Sequence, residues 1–192
     1  MTTETRRARM SKIAPESMTE AQKKAAAELA AGPRGEVRGP FNVLLRSPEL
    51  MSPLQKVGEY LRFRCELDRR IAEMATLIAA RSWTQVYEWS AHHPLALKAG
   101  LKPEIAQAIA DGRRPTGMAQ DEETVYDLLN EALQNKSVSD VTYERAVEQF
   151  GEKNVVDLLA IAGYYALLAM MLNVSRTPLP EGQQPGMPHF PN

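Results

Sequence analysis

Apolar side chains recur along most of the chain at intervals of three and four residues, which is the spacing of one face of an α-helix. The clearest case follows Asp68, where one apolar stripe consists of Ile71, Met74, Ala75 and Ile78. No segment shows the convincing alternation of apolar and polar residues that a half-buried strand has. The pattern therefore predicts an all-α fold, a single-domain helical bundle.

Residues that cap helices set the expected boundaries in the first half of the chain. Thr19 with Gln22 forms a capping-box pattern, and Gly32 follows as the helix end. Ser52, followed by a proline and with a glutamine three residues on, predicts the start of a helix that reaches about residue 64. The Gly- and Pro-rich stretch between these helices is expected to be a loop, held to the core by Phe41 and the apolar residues at 43 and 44.

The second half of the chain carries the remaining start and stop signals. Asp68 is expected to cap one helix, Ser82 to begin the next and Gly100 to end it. Further helices are predicted over 102–111, 121–135, 139–149 and 152–173. The predicted helical domain covers residues 18–175, between an N-terminal arm (1–17) and a proline-rich tail (176–192) that is extended or disordered.

The composition is that of an ordinary soluble globular protein and limits the classes of partner. The chain has 192 residues, a hydrophobic fraction of 44% and a formal net charge of −1, without the basic stripe that nucleic acid requires. Its longest uncharged apolar run, 158–172, is shorter than the roughly 20 residues of a bilayer crossing, so we expect a helix buried on all sides. The N-terminus lacks the apolar segment of a secretion signal, which favours the cytoplasm.

Cysteine and histidine usage narrows the chemistry further. Cys65 is the only cysteine, so the chain can form no intrachain disulfide, CxxC redox pair or thiolate zinc site. Metal binding needs three or four converging ligands, and His92 and His93 cannot both face one ion from adjacent helical positions. No Gly-rich phosphate loop and no GxSxG motif occurs. We therefore expect no metal site.

The segment QVYEWSAHH at 85–93 places an acid and two imidazoles among aromatic residues. At about 100° per residue, Gln85, Glu88 and His92 share one helix face, with Glu88 four residues before His92. A carboxylate–imidazole hydrogen bond at this spacing would form a general acid–base pair able to act on a carbon acid. The alternative is an ordinary exposed pair contributing a few tenths of a kcal/mol, with Gln85 as a helix cap and the aromatic residues as core.

Around these residues the chain resembles the carboxymuconolactone decarboxylase family, part of the helical superfamily that includes AhpD-type alkylhydroperoxidases. The similarity runs from GPFNVLLRSPEL through LDRRIAEMATLIAARSWTQVYEWSAHHPLALKAGLKPE to VVDLLAIAGYYALLAMMLN. The redox branch has an upstream Glu, a Cys-x-x-Cys and then a His; the matching positions here are Glu73, Gln85, Glu88 and His92. Without thiols this site cannot reduce peroxide as that branch does. The decarboxylase branch has Glu-x-x-x-His, which Glu88 and His92 resemble.

The resemblance implies a lyase without metal or organic cofactor, a decarboxylase or isomerase acting on a small unsaturated lactone or keto acid. It implies that His92 donates or accepts the proton, that Glu88 orients it and tunes its charge, and that Glu73 completes the proton relay. The implied substrate contacts are Gln85 as a hydrogen-bond donor, Tyr87 and Trp83 as pocket wall, and Phe41 and Asn42 as a lid.

The resemblance also implies self-association, since the family is usually trimeric or hexameric with sites near subunit contacts. The last helix has small residues that permit close packing, either in the core or at such a contact: Ala162, Gly163, Ala166 and Ala169. The expected partners are a small-molecule substrate and further copies of the chain, with neither nucleic acid nor a membrane. Two other functions remain open: a hydrolase of a lactone or diketone using the same dyad, and a non-catalytic oligomeric binding protein.

Overall fold

The computed structural model describes residues 7–188, and all regular secondary structure in that part of the chain is helical. A 3-10 turn at Pro15–Ser17 precedes the α-helices, which are α1 (Glu20–Ala31), α2 (Pro40–Leu44), α3 (Pro48–Phe63), α4 (Arg69–Ser82), α5 (Val86–Lys98), α6 (Pro103–Ala110), α7 (Gln120–Asn135) and α8 (Asp140–Ser175). The predicted all-α fold is confirmed. The described part of the chain divides into two compact units, the first formed by residues 7–64 and 168–178 and the second by residues 65–167 and 179–188.

In the first unit, α1 and α2 both pack on α3. Its core contains Leu29 of α1, Leu44 of α2 and Met51 of α3, each at most 2% exposed. The N-terminal arm is fixed to the end of α8, because Arg9 donates its backbone N–H to the Ser175 carbonyl at 2.8 Å. The positive charge of the arginine also complements the negative end of the helix dipole.

In the second unit α4 is the central helix, with α5, α6 and α7 packed around it. Every residue from 71 to 81 is buried, so the helix is enclosed on all sides and not only along the single predicted stripe. Four alanines in this stretch let the neighbouring helices approach closely. The expectation that the apolar run 158–172 is buried on all sides is wrong, because Leu159 and Met170 of α8 are 40% and 48% exposed.

Several predicted helix boundaries are confirmed. Thr19 and Gln22 make a reciprocal capping box at the start of α1. Asp68 accepts hydrogen bonds from the backbone N–H groups of the second and third residues of α4. The predicted break between the last two helices is Gly151, whose φ of 76° and ψ of 156° interrupt α8. A glycine adopts this backbone conformation without the steric cost that a side chain would add.

Two predicted helix starts are wrong. α3 begins at Pro48 and not after Ser52, and the next proline lies inside the helix. Since the chain has Ser-Pro at both 47–48 and 52–53, the local pattern does not decide between them. α4 continues through Ser82, and α5 begins only after a turn in which Thr84 has a φ of 47° and Gln85 becomes the N-cap.

Two segments expected to be irregular are more ordered than predicted. The stretch before α3 contains the short helix α2, in which Phe41 is only 4% exposed. The tail is extended as expected, but over its described part, residues 176–188, it is not disordered: Met187 is 4% exposed. Arg81 Nη1 donates a hydrogen bond to the Pro188 carbonyl at 2.6 Å. The rest of the predicted tail, 189–192, and residues 1–6 of the predicted arm lie outside the described residues.

By length and composition alone, α8 could cross a membrane. However, 56% of its most apolar stretch is buried within the protein. Burial of this extent is typical of the core helix of a soluble protein, because a helix that spans a bilayer alone exposes its apolar surface to lipid.

Candidate active site

The site predicted from the sequence lies within the second unit, where α4 and α5 pack against each other. α4 supplies Glu73, α5 supplies Glu88 and His92, and Gln85 immediately precedes α5. These four side chains belong to residues that are only 2–4% exposed. Ionisable groups buried together cost free energy unless they pair, so their mutual contacts decide what the site can do.

The short contact of the imidazole is with Glu73. His92 Nδ1 lies 2.6 Å from Glu73 Oε2, a hydrogen bond between residues 19 positions apart. The other carboxylate oxygen, Oε1, forms an ion pair with Nη2 of Arg69, one turn earlier on α4. A carboxylate that accepts from a guanidinium is also an acceptor toward the imidazole, so we assign the proton of this hydrogen bond to Nδ1.

The predicted hydrogen bond between Glu88 and His92 does not form. Glu88 Oε2 lies 3.7 Å from His92 Nε2, which is an ion-pair distance but too long for a hydrogen bond. The imidazole therefore has one carboxylate bonded to Nδ1 and a second one facing Nε2. The residue that orients the imidazole is therefore Glu73, and not Glu88 as expected. Glu88 instead lies beside Nε2, the nitrogen at which a proton can be exchanged.

Two tyrosines of α8 form an aromatic wall beside His92. The Tyr165 ring meets the imidazole edge to face, with centroids 4.8 Å apart and an interplanar angle of 78°. Tyr164 packs on Tyr165 in the same manner at 5.4 Å, and both tyrosines are buried. Apolar ring surface excludes water, which strengthens the electrostatic interactions among the neighbouring charged groups.

Gln85 acts as a helix cap. Its Oε1 accepts the backbone N–H of Tyr87 at 2.6 Å, which satisfies one of the unpaired donors at the start of α5. The hydrogen bond that Gln85 is predicted to donate to a substrate would have to come from the amide nitrogen, and it stays a prediction.

The aromatic residues of this segment differ in exposure. Trp83, the C-cap of α4, and Tyr87 are partly exposed, and their part in a pocket wall stays a prediction. Trp89 is 1% exposed and stacks on His93, with ring centroids 5.7 Å apart. Burial lowers the pKa of His93, because desolvation disfavours the imidazolium form.

Phe41 and Asn42, the predicted lid, belong to α2 of the first unit. Phe41 is buried there, and the Arg34 guanidinium lies 4.7 Å from its ring centroid. Packing within the first unit accounts for the apolar character of Phe41, and the lid function of both residues stays a prediction.

Within residues 7–188, no group of three or more His, Cys, Asp or Glu side chains is arranged to hold a metal ion. Cys65 is a partly exposed cysteine that precedes α4, outside the helices that carry Glu73 and His92.

Sequence reasoning missed two residues of the site, Arg69 and Tyr165. Arg69 stands four residues before Glu73, a spacing typical of helical ion pairs. This spacing is a sequence signal from which the contact could have been predicted. Tyr165 is remote in sequence from His92, and no local signal connects the two rings.

Comparison with known proteins relates the chain to one family and one fold. The sequence model of the Carboxymuconolactone decarboxylase family matches residues 48–131 of this chain. A comparison with curated proteins finds no match. An uncharacterised peroxidase-related protein from Ralstonia eutropha JMP134, described as an alkylhydroperoxidase AhpD core, aligns with a TM-score of 0.73 and 16% identity over 91% of this chain and 93% of that chain. A protein of unknown function from Agrobacterium tumefaciens, proposed to be an AhpD antioxidant defence protein, aligns with a TM-score of 0.64 and 14% identity over 74% of this chain and 99% of that chain. At these identities the two structures share the fold with this chain.

Proposed function

We propose that the chain is a member of the carboxymuconolactone decarboxylase and AhpD-like superfamily and that it is a cofactor-independent lyase, a decarboxylase or isomerase. Its substrate is a small unsaturated lactone or keto acid. The observation that carries this proposal is the buried imidazole of His92 between the carboxylates of Glu73 and Glu88. Peroxide reduction is not proposed, because the positions of the redox cysteines hold Gln85 and Glu88.

The substrate class follows from the need for a group that accepts the electron pair of the broken carbon–carbon bond. When the bond between a carboxylate and its neighbouring carbon breaks, carbon dioxide leaves and the electron pair moves into a conjugated carbonyl, giving a dienolate. His92 in its imidazolium form then donates the Nε2 proton to a carbon of the dienolate, and solvent protonates the imidazole again. In the isomerase version, Nε2 removes a proton from one carbon and returns it to another.

The two carboxylates have different parts in this proposal. Glu73 accepts a hydrogen bond from Nδ1–H and so fixes both the ring orientation and the nitrogen at which protons are exchanged. Glu88, 3.7 Å from Nε2, stabilises the imidazolium form before the proton is transferred. This division of roles supports a general acid–base reaction more than a simple structural pair.

The enclosure of the site favours the lyase over the hydrolase. With Glu73, Glu88 and His92 at most 4% exposed, a small substrate has to displace or exclude water when it binds. Exclusion of water prevents hydrolysis of a reactive dienolate, whereas a hydrolase must retain an attacking water next to its base. The hydrolase remains the second candidate, since it would use the same imidazole.

The proposed function can be tested on a panel of unsaturated lactones and β-keto acids. We expect at least one compound to release carbon dioxide, or to isomerise, with a change in ultraviolet absorbance. Ring opening without carbon dioxide would favour the hydrolase, and tight binding without any conversion would favour the binding protein. Alkylation of Cys65 is the control for thiol chemistry and should leave the activity unchanged.

We also propose that the protein is a homo-oligomer, a trimer or hexamer. Three positions on one face of α8 support an interface in the second unit: Val156 is 63% exposed, Leu159 is 40% exposed, and a side chain on Gly163 would meet nothing within 4 Å. An apolar stripe next to a small residue fits close packing against a helix of a second copy.

A further inference from the structure

The Glu73 carboxylate is held at both of its oxygens, and one of the two partners is a residue outside the motif. Oε2 accepts from His92 Nδ1 at 2.6 Å, and Oε1 forms the ion pair with Arg69 Nη2. We propose that Arg69 is a positioning residue of the active site, which fixes the tautomer of His92 through Glu73. This inference rests on the proposed function for its catalytic meaning, but the tautomer can be measured without any substrate.

The burial of the two partners shows why the ion pair matters to Glu73. The Glu73 side chain is 2% exposed, whereas the Arg69 side chain is 43% exposed and keeps part of its surface toward solvent. A buried carboxylate is costly without a cation or hydrogen-bond donors, and a guanidinium supplies both. Because each carboxylate oxygen is engaged, rotation of the carboxylate would break one of the two contacts. Arg69 therefore restricts the direction from which Glu73 can accept the imidazole proton.

The consequence for His92 is a choice between two neutral tautomers. With Glu73 held as an acceptor, the ring proton is on Nδ1, and Nε2 presents its lone pair toward Glu88 Oε2, 3.7 Å away. If Glu73 is released from Arg69, the carboxylate can turn away from His92, and the ring proton can move from Nδ1 to Nε2. The number of protons is unchanged, but the lone pair no longer faces Glu88. Nε2 is then protonated in the neutral ring and cannot accept the proton that the isomerase version of the proposed reaction requires it to remove.

A purely structural function for Arg69 makes a different prediction. An ion pair that contributes only to stability has no effect on the tautomer of a neighbouring imidazole. The adjacent Arg70 is the matched control, since it pairs with Asp121 at 2.6 Å and with Glu122 at 2.5 Å and not with Glu73. Replacing Arg70 thus removes ion pairs of the same helix without touching the carboxylate that holds His92.

The test is a long-range nitrogen–proton correlation spectrum of protein labelled with ¹⁵N at its three histidines. The His92 signals are identified by their loss in His92→Gln. In the wild type we expect the pattern of a ring protonated at Nδ1. In Arg69→Gln we expect a change to the Nε2-protonated or a mixed pattern, whereas Arg70→Gln should keep the wild-type pattern. Arg69→Lys should restore most of the wild-type pattern, since it returns the charge to Glu73.

An unchanged His92 pattern in folded Arg69→Gln would overturn the proposal. Arg69→Met, which keeps the aliphatic stem, is the second variant. If both neutral variants fail to fold while Arg70→Gln folds, Arg69 is structural and the proposal is equally overturned. With an active lactone in hand, we expect Arg69→Gln to lower kcat by about 10–100-fold with KM little changed, as for other groups that orient a catalytic residue. Failure of the proposed function would instead show as an absence of turnover in the wild type, with the tautomer change in Arg69→Gln still present.

Discussion

His92 has a carboxylate at each ring nitrogen, Glu73 at 2.6 Å from Nδ1 and Glu88 at 3.7 Å from Nε2. The closeness of Glu88 and His92 could be predicted from the sequence, because a helix fixes the relation of residues four apart. The hydrogen bond with Glu73 could not, since it depends on which face of α4 meets α5. Periodicity shows that a residue lies on an apolar or polar face, but not which two faces come together.

The neighbouring His93 gives a prediction that separates it from His92. Burial lowers the pKa of His93 below its ordinary value of 6.5, so the folded state binds the proton less readily than the unfolded state does. The contribution of neutral His93 to the free energy of unfolding is therefore fully present above about pH 6.5, and it is lost as the pH falls through the lowered pKa. We expect His93→Gln to reduce the loss of stability between pH 7.5 and pH 5, measured by urea denaturation. An unchanged pH dependence would mean that His93 is not desolvated.

At the scale of single elements, the caps Thr19 and Asp68 are predictable from the sequence, whereas the starts of α3 and α5 are not. Asp68 was recognisable because a short acceptor followed by an amphipathic pattern has a direct physical function at a helix start. The beginning of α3 was not, since Ser47 and Ser52 each precede a proline and only tertiary packing selects the first. The order of the C-terminal tail is also not predictable, because it depends on one buried residue, Met187, and on a hydrogen bond from Arg81, which is remote in sequence.

The N-caps of α3 and α4 differ in their side-chain hydrogen bonds. The Asp68 side chain accepts two backbone N–H groups, whereas the Ser47 side chain makes no capping hydrogen bond. We expect Asp68→Ala to lower the free energy of unfolding by about 1 kcal/mol, and Ser47→Ala to change it by less than about 0.5 kcal/mol. Urea denaturation of the two variants measures both values. Equal losses would show that the hydroxyl at 47 is as important as the carboxylate at 68.

The tail offers a second comparison, between two glycines in the left-handed region. Gly186 has a φ of +62°, and a Cβ there would lie 3.3 Å from Cδ1 of Trp89; Gly182 has a φ of +81° with nothing within 4 Å. Alanine at either position costs roughly 1–2 kcal/mol of local backbone strain, but only Gly186→Ala also pushes the tail from the indole. In a Trp83→Phe background, we expect acrylamide to quench Trp89 fluorescence more strongly in Gly186→Ala than in Gly182→Ala. Equal quenching would contradict the contact.

At the scale of the whole molecule, the helical class followed from the periodicity, while the division into two compact units did not. Both units are helical, and no Gly- or Pro-rich linker marks the boundaries near residues 64 and 167. The exposed apolar face of α8 was likewise hidden, because an apolar run in the sequence does not show whether its partner is the same chain or another copy.

Self-association can be tested on that face. Val156 is 63% exposed beside Leu159, and Val141 of the same helix is 77% exposed near its first turn. We expect Val156→Glu to reduce the molecular mass measured by light scattering to that of a monomer, since a buried unpaired carboxylate opposes association. Val141→Glu should keep the mass of the wild type. A wild-type mass of 21.4 kDa, that of one chain, would contradict the proposed oligomer.

The central claim is that the imidazole of His92 moves the proton in the proposed reaction, and the matched pair of adjacent histidines tests it most directly. The measurement is the rate of carbon dioxide release, or of isomerisation, from the most active compound of the lactone and keto acid panel. We expect His92→Gln to lower that rate by at least about 100-fold, a typical contribution of a general acid–base group, while His93→Gln stays within about twofold of the wild type. Wild-type turnover by folded His92→Gln would contradict the account.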